Sequence, residues 1–197
     1  MQQQTQQTQR LSYALAAGLF LLSGSLAIGQ TIGVKEDFTA VAIVNNNVAS
    51  GAGTVLFNVT RWSTEEERRR LVDTLVAKGP AALLDVLHDN RSTGRIRTPD
   101  SIGYDLRFAH QTPTADGGRR IVLATDRPIG FWEATRQPRT IDYRFTVIQM
   151  EFDREGRGKG TLSFATKIVA RGNLIELENF ASSPVMLTEI KAEKQDD

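Results

Sequence analysis

STEEERRRLVDTLVAKGPAALLDVLH, Ser63 to His88, is the one stretch of this chain that reads as helix, and its position between runs of strand decides the fold. Ser63 with Glu66 three residues on has the form of a capping box. Glu65, Glu66 and Glu67 fall in the first turn, where the helix dipole favours acids. Glu65–Arg69 and Glu66–Arg70 stand at the i,i+4 spacing with the acid first. Leu71, Val72, Leu75 and Val76 supply a stripe to bury. Lys78-Gly79-Pro80 ends this helix and opens a second, because proline suits a first helical position. The second runs to about His88 and offers Leu83, Leu84 and Leu87. The pair predicts a helical hairpin.

Strand patterns lie on both sides of it. Phe38 to Val44 is wholly apolar, Asn45-Asn46-Asn47 and Ser50-Gly51-Ala52-Gly53 have turn composition, and Thr54 to Arg61 follows with Val55, Phe57 and Val59 on one face. After the helices, Arg95–Thr98 is a weak strand. Ile102 to Ala109 alternates, with Ile102, Tyr104, Leu106 and Phe108 sharing a face. Asp116-Gly117-Gly118 turns the chain into Arg119–Thr125. Ile141 to Phe152 is the longest strand pattern. Its apolar face shifts part-way, which a bulge near Val147 or burial of both faces explains. Thr161–Ala170, Leu174–Phe180 and Val185–Lys191 complete the series. Links this short demand antiparallel neighbours. The expectation is an α+β fold: a bent antiparallel sheet or partly closed β-barrel of about eight strands, with a two-helix hairpin after the second strand.

At the N-terminal end, Leu11 to Leu22 is apolar, Ser23-Gly24-Ser25 breaks it, and Ala27 and Gly29 provide a small-x-small site. This is the layout of a secretory signal, residues 1–29, cut before Gln30. An uncleaved anchor is the competing reading, against which the apolar run of about 12 residues falls short of the roughly 20 that span a bilayer. The mature part, residues 30–197, then reads as one globular domain with a charged tail at 192–197, exported to a periplasmic or extracellular setting. Removing residues 1–29 takes away Arg10 and no acid, so the chain's 24 basic residues fall to 23 against 23 acidic ones. A balanced chain lacks the basic surplus of nucleic-acid and anionic-membrane binders. With no cysteine, the domain has no disulfide, no thiol chemistry and no thiolate metal ligand.

The C-terminal third, GKGTLSFATKIVARGNLIELENFASSPVMLTEIK from Gly158 to Lys191, resembles the endings of small, uncharacterised exported bacterial proteins. The resemblance implies a bacterial envelope or extracellular setting and brings no activity and no site residues.

The candidate chemistry is thin. Glu155-Gly156-Arg157-Gly158-Lys159-Gly160 suggests a phosphate loop, but Gly160 stands where Ser or Thr is required and Asp153 where the first glycine belongs. Asp153-x-Glu155-Gly156 opens like a calcium loop and lacks the closing glutamate. His88 and His110 would need to converge with Asp89 or Asp105 to bind zinc, and His88 is accounted for by the helix dipole; no metal and no cofactor is expected. Ser50, Ser101 and Ser182 sit in turn-like sequence without a nucleophile elbow. Glu176 and Glu178 share one strand face, as the solvated side of a half-buried strand does. The helical pair lacks base-reading residues for DNA.

One segment stands apart. Arg127 to Arg139, RPIGFWEATRQPR, is a long loop holding Phe131 and Trp132 among Arg127, Arg136 and Arg139. Paired aromatics with arginines are typical of recognition surfaces; the alternative is that both rings tuck into the sheet. The expectation is a non-catalytic exported binding module. It would hold a small apolar ligand in a sheet cavity, or an envelope protein through Phe131, Trp132, Arg136 and Arg139. The alternatives are a hydrolase without a local motif, using Asp105, Asp142, Glu151 or Tyr143, and a structural envelope protein.

Overall fold

The structure is a computed structural model and describes residues 34–45, 50–127, 145–164, 167–171, 174–178 and 185–194. In chain order the elements are β1 (Glu36–Asn45), β2 (Ser50–Val59), α1 (Glu65–Asp89), β3 (Gly94–Arg97), β4 (Tyr104–Leu106), β5 (Phe108–Pro113), β6 (Arg119–Thr125), β7 (Thr146–Phe152), β8 (Gly158–Phe164), β9 (Lys167–Arg171), β10 (Leu174–Glu178) and β11 (Val185–Lys194). Nine strands form one antiparallel sheet in the order β4-β3-β2-β1-β11-β8-β7-β6-β5, and β9 and β10 pair as a separate hairpin. The sheet is a nearly closed barrel, so the α+β architecture with helices after the second strand is observed.

Closure is the work of one stretch of chain. β4 and β5 sit at opposite ends of the strand order, yet only Arg107 separates them. Before Arg107 the chain pairs with β3, and after it with β6. The Arg107 N–H donates to Ala124 O at 2.8 Å, and the Thr93 N–H donates to Leu106 O at 2.7 Å, so backbone bonds bracket the switch on both sides. The expected single strand Ile102–Ala109 is therefore broken at Arg107, and its face changes there. Tyr104 and Leu106 contribute to the barrel core, but Ala109 follows them inward and Phe108 turns outward. Ile102 lies before β4 and is exposed.

Apolar side chains from the inner faces of the strands gather in the interior. Phe38, Ala40, Ala42, Val55, Phe57, Ile96, Leu106, Ile121, Leu123, Ile148, Met150, Phe152, Leu162, Leu187 and Ile190 pack into one cluster. Across it, at the end where β1 and β6 begin, Arg119 reaches Glu36. Nη1 lies 2.9 Å from Oε1 and Nη2 2.6 Å from Oε2, and Nη1 also donates to Gln111 Oε1 at 3.0 Å. The guanidinium carbon sits 5.8 and 5.2 Å from the ring centres of Phe38 and Phe152. β1 and β6 are not neighbours in the sheet, so this ion pair spans the inside of the barrel.

Helix α1 lies outside the barrel. Leu71, Leu75, Leu83 and Leu87 pack on Ala124, Phe145, Val147, Phe108 and Val122, the outer face of β5–β7. This explains the shifting apolar face of the long strand. Phe145 and Val147 face the helix, while Ile148, Met150 and Phe152 face the core, and β7 pairs with β6 and β8 without a register shift. Burial of both faces is the cause, not a bulge near Val147. The bulge lies in β11 instead, between Leu187 and Ile190, where Glu189 takes φ +50. It moves the inward side from Val185 and Leu187 to Ile190.

Other expectations are corrected in detail. The helical N-cap is Thr64, whose side chain accepts from Glu67 N–H while Glu67 accepts from Thr64 N–H; it is not Ser63 with Glu66. Ser63 is committed to β5, exchanging two bonds with the Ala109 backbone. Glu65 pairs with Arg68, one residue nearer than expected, and Arg70 turns to Asn90. Val76 is exposed, rotated off the line of Leu71 and Leu75. The break expected at Lys78-Gly79-Pro80 is present: Gly79 interrupts α1 at φ +79, a left-handed value that favours glycine. Ser50–Gly53 belongs to β2, paired with β1 through Asn45↔Ser50. Thr161–Ala170 divides between β8 and β9, and β11 extends through Ala192 to Lys194, into the expected charged tail.

Candidate functional site

Phe131, Trp132, Arg136 and Arg139 lie outside the described residues, as do Asp142, Tyr143, Ser182 and the 1–29 segment. What the structure does show is how the segment holding the two aromatics is rooted. β6 and β7 are paired neighbours up to Thr125↔Thr146, so a twenty-residue excursion, 126–145, connects two residues that lie side by side. Two residues suffice for such a link.

The root is held from several directions. The Arg127 carbonyl accepts from Thr125 Oγ1 at 2.5 Å and from Thr146 Oγ1 at 3.4 Å, and Arg127 N–H donates to Thr125 Oγ1 at 3.3 Å. Asp126, the residue between, has a carboxylate only 3% exposed. Its Oδ2 takes His88 Nδ1 at 2.7 Å, and Arg107 Nε lies 3.3 Å from the same oxygen without a hydrogen bond. Arg107 Nη1 donates to Asn90 O at 3.1 Å, and Asn90 Nδ2 donates to Arg107 O at 3.4 Å. One polar cluster thus joins the last turn of α1, the β4–β5 switch point and the end of β6. The imidazole of His88 remains 60% exposed. The His88–Asp126 pair was missed in the sequence because the partners are 38 residues apart and belong to different elements. The dipole account of His88 described only half of its setting.

His110 is elsewhere. It stacks on Phe108, with ring centres 6.1 Å apart and planes 6° apart, and its Nε2 is 3.7 Å from Glu65 in the first turn of α1. Burial, reinforced by Arg68, holds its pKa below the ordinary histidine value, against the pull of Glu65. The two histidines are not brought together, and among the described residues no three acidic or histidine side chains group as a metal site. Asp105 meets Arg95 at 3.3 Å on the outer side of β3–β4, and Glu151 meets Arg120 at 2.9 Å on β6–β7, so these two carboxylates do not share a cleft. In the β7–β8 turn the Asp153 and Glu155 carboxylates are taken by Arg157. Its N–H and Nε donate to Asp153 at 2.8 and 2.7 Å, and these bonds hold the Asp153 pKa low. Glu176 and Glu178 stand in β10 opposite Val169 and Lys167. Among the described residues no helix is long and apolar enough to cross a membrane.

Comparison with family models, curated proteins and solved structures gives no match to this chain. The fold and the site define its class: a nearly closed antiparallel barrel with an external helix and a long, firmly rooted excursion.

Proposed function

We propose that this chain is an exported binding module that recognises an envelope protein through the excursion carrying Phe131, Trp132, Arg136 and Arg139. One observation carries the reading: β6 and β7 are already paired at Thr125↔Thr146, where a two-residue turn would join them, yet the chain places twenty residues between them. Long excursions on a rigid frame are where recognition residues concentrate. The root at Asp126 and Arg127 supplies such a frame. Between the two modes expected from the sequence, the apolar side chains gathered in one buried cluster inside the barrel support recognition at the surface over a small apolar ligand within the sheet. A hydrolase built on Asp105 and Glu151 is less well supported, since each sits on an outward face against an arginine.

The test is capture of envelope proteins from the source cell by the mature chain and by Trp132→Ala, with the captured species identified by mass spectrometry. The expected result is one species lost from the variant at unchanged melting temperature. Equal capture by both chains would remove the excursion from the binding surface. Export is tested by sequencing the N-terminus of the native protein: a start at Gln30 supports it, and a start at Met1 opposes it.

A further inference from the structure

We propose that His88 and Asp126, at the root of the excursion, form a nucleophile–carboxylate pair that acts on small activated acyl esters, a chemistry separate from recognition through Phe131 and Trp132. The geometry is asymmetric in the way such a pair requires. The carboxylate is buried and the imidazole is mostly in solvent, with Nδ1 as the nitrogen turned to the protein. A carboxylate at 2.7 Å from Nδ1 places the proton there and leaves the lone pair on Nε2, on the far side of the ring. The last turn of α1 and the anionic Asp126 both favour the positive charge that develops on the ring as Nε2 reacts. Holding the end of a helix does not require a buried carboxylate. A neutral amide or hydroxyl makes the same bond without a buried charge, which here is offset by Arg107, its Nε 3.3 Å from the same oxygen.

The chemistry closes without a cofactor. Nε2 attacks the carbonyl carbon, the bond to the leaving oxygen breaks, and the leaving group departs as an alkoxide or phenoxide. The ring, with its proton still on Nδ1 beside Asp126, carries the acyl group as an acyl-imidazolium. Water then adds to the acyl carbon, the carboxylic acid leaves, and the neutral imidazole is restored; one proton from the water passes to the departed oxyanion.

The experiment is hydrolysis of p-nitrophenyl acetate by the mature chain, with N-acetylhistidine at equal concentration as reference. The expected rate is about a hundredfold above the reference, the low end of what one positioned catalytic side chain supplies. His88→Asn keeps a donor toward Asp126 and removes Nε2, so it should melt with the wild type and fall to the residual rate of the remaining side chains. Asp126→Asn should lower the rate while His88 stays in place. If Asp126→Asn does not fold, mass spectrometry of the acid-quenched wild type decides: the acetyl group is expected on His88 and not on His110. A wild-type rate no higher than N-acetylhistidine, an unchanged rate in His88→Asn, or an acetyl group found first on His110 would each overturn the proposal.

Discussion

The substitution Arg119→Met tests whether the cross-barrel ion pair holds the fold or only decorates it. In the wild type both carboxylate oxygens of Glu36 are taken by Arg119, and the Glu36 side chain is 10% exposed. A thioether in place of the guanidinium would leave that carboxylate without its cation inside the barrel mouth. Breaking a buried pair from one side costs about 3–5 kcal/mol. Arg119 itself is 29% exposed, so water reaches the pair and moderates the loss toward the lower part of that range. The contacts of the guanidinium with Phe38 and Phe152 add about 0.5–1 kcal/mol each where they are partly desolvated. The expected loss is therefore about 4 kcal/mol, read from urea unfolding with the slope held common. The double variant Glu36→Leu with Arg119→Met should recover most of it, because two apolar groups leave no stranded charge. A single-variant loss below about 1 kcal/mol, or a double variant no better than the single, would refute the reasoning.

Three further outcomes follow from the helix and the bulge. Thr64→Ala removes the side-chain acceptor for Glu67 N–H and should cost about 1 kcal/mol in thermal or chemical unfolding. Glu189→Gly relieves a side chain held at φ +50 on an exposed bulge and should raise stability by up to about 1 kcal/mol; a loss would mean that the side chain contributes more than the strain removes. His110, with a folded pKa below its unfolded value, contributes stability that is complete above the ordinary histidine pKa of about 6.5 and declines as the pH falls through the folded value. Glu65 and Arg68 of α1 face the ring, and Phe108 stacks on it, so His110→Gln should flatten the pH dependence of the melting temperature in that window.

Much of this architecture was legible because it rests on local periodicity. Strand parity in β2 located the core face of Val55, Phe57 and Val59, and the Ser63–His88 stretch placed the helix between strands. The errors share one cause: the neighbour across the sheet overrides the local pattern. Thr64 caps the helix since Ser63 is drawn to Ala109, 46 residues on. Tyr104-Asp105-Leu106-Arg107-Phe108 alternates in sequence, yet a change of partner at Arg107 reverses its parity. The candidate site was the least legible part. His88, Asp126, Arg107 and Asn90 carry no common motif, and only barrel closure places them together.

The pairing of β1 with β11 sets the order in which the chain can assemble. Glu36–Asn45 and Val185–Lys194 are neighbours in the middle of the sheet, with well over a hundred residues between them. A chain emerging from its N-terminal end makes the β1–β2 hairpin early but must hold one edge of β1 unpaired until nearly all of the rest has appeared. Pairings this distant are slow to form, and open strand edges invite pairing with other chains while they wait. The finished barrel conceals that hazard, which falls on the newly made chain and on whatever escorts it until β11 arrives.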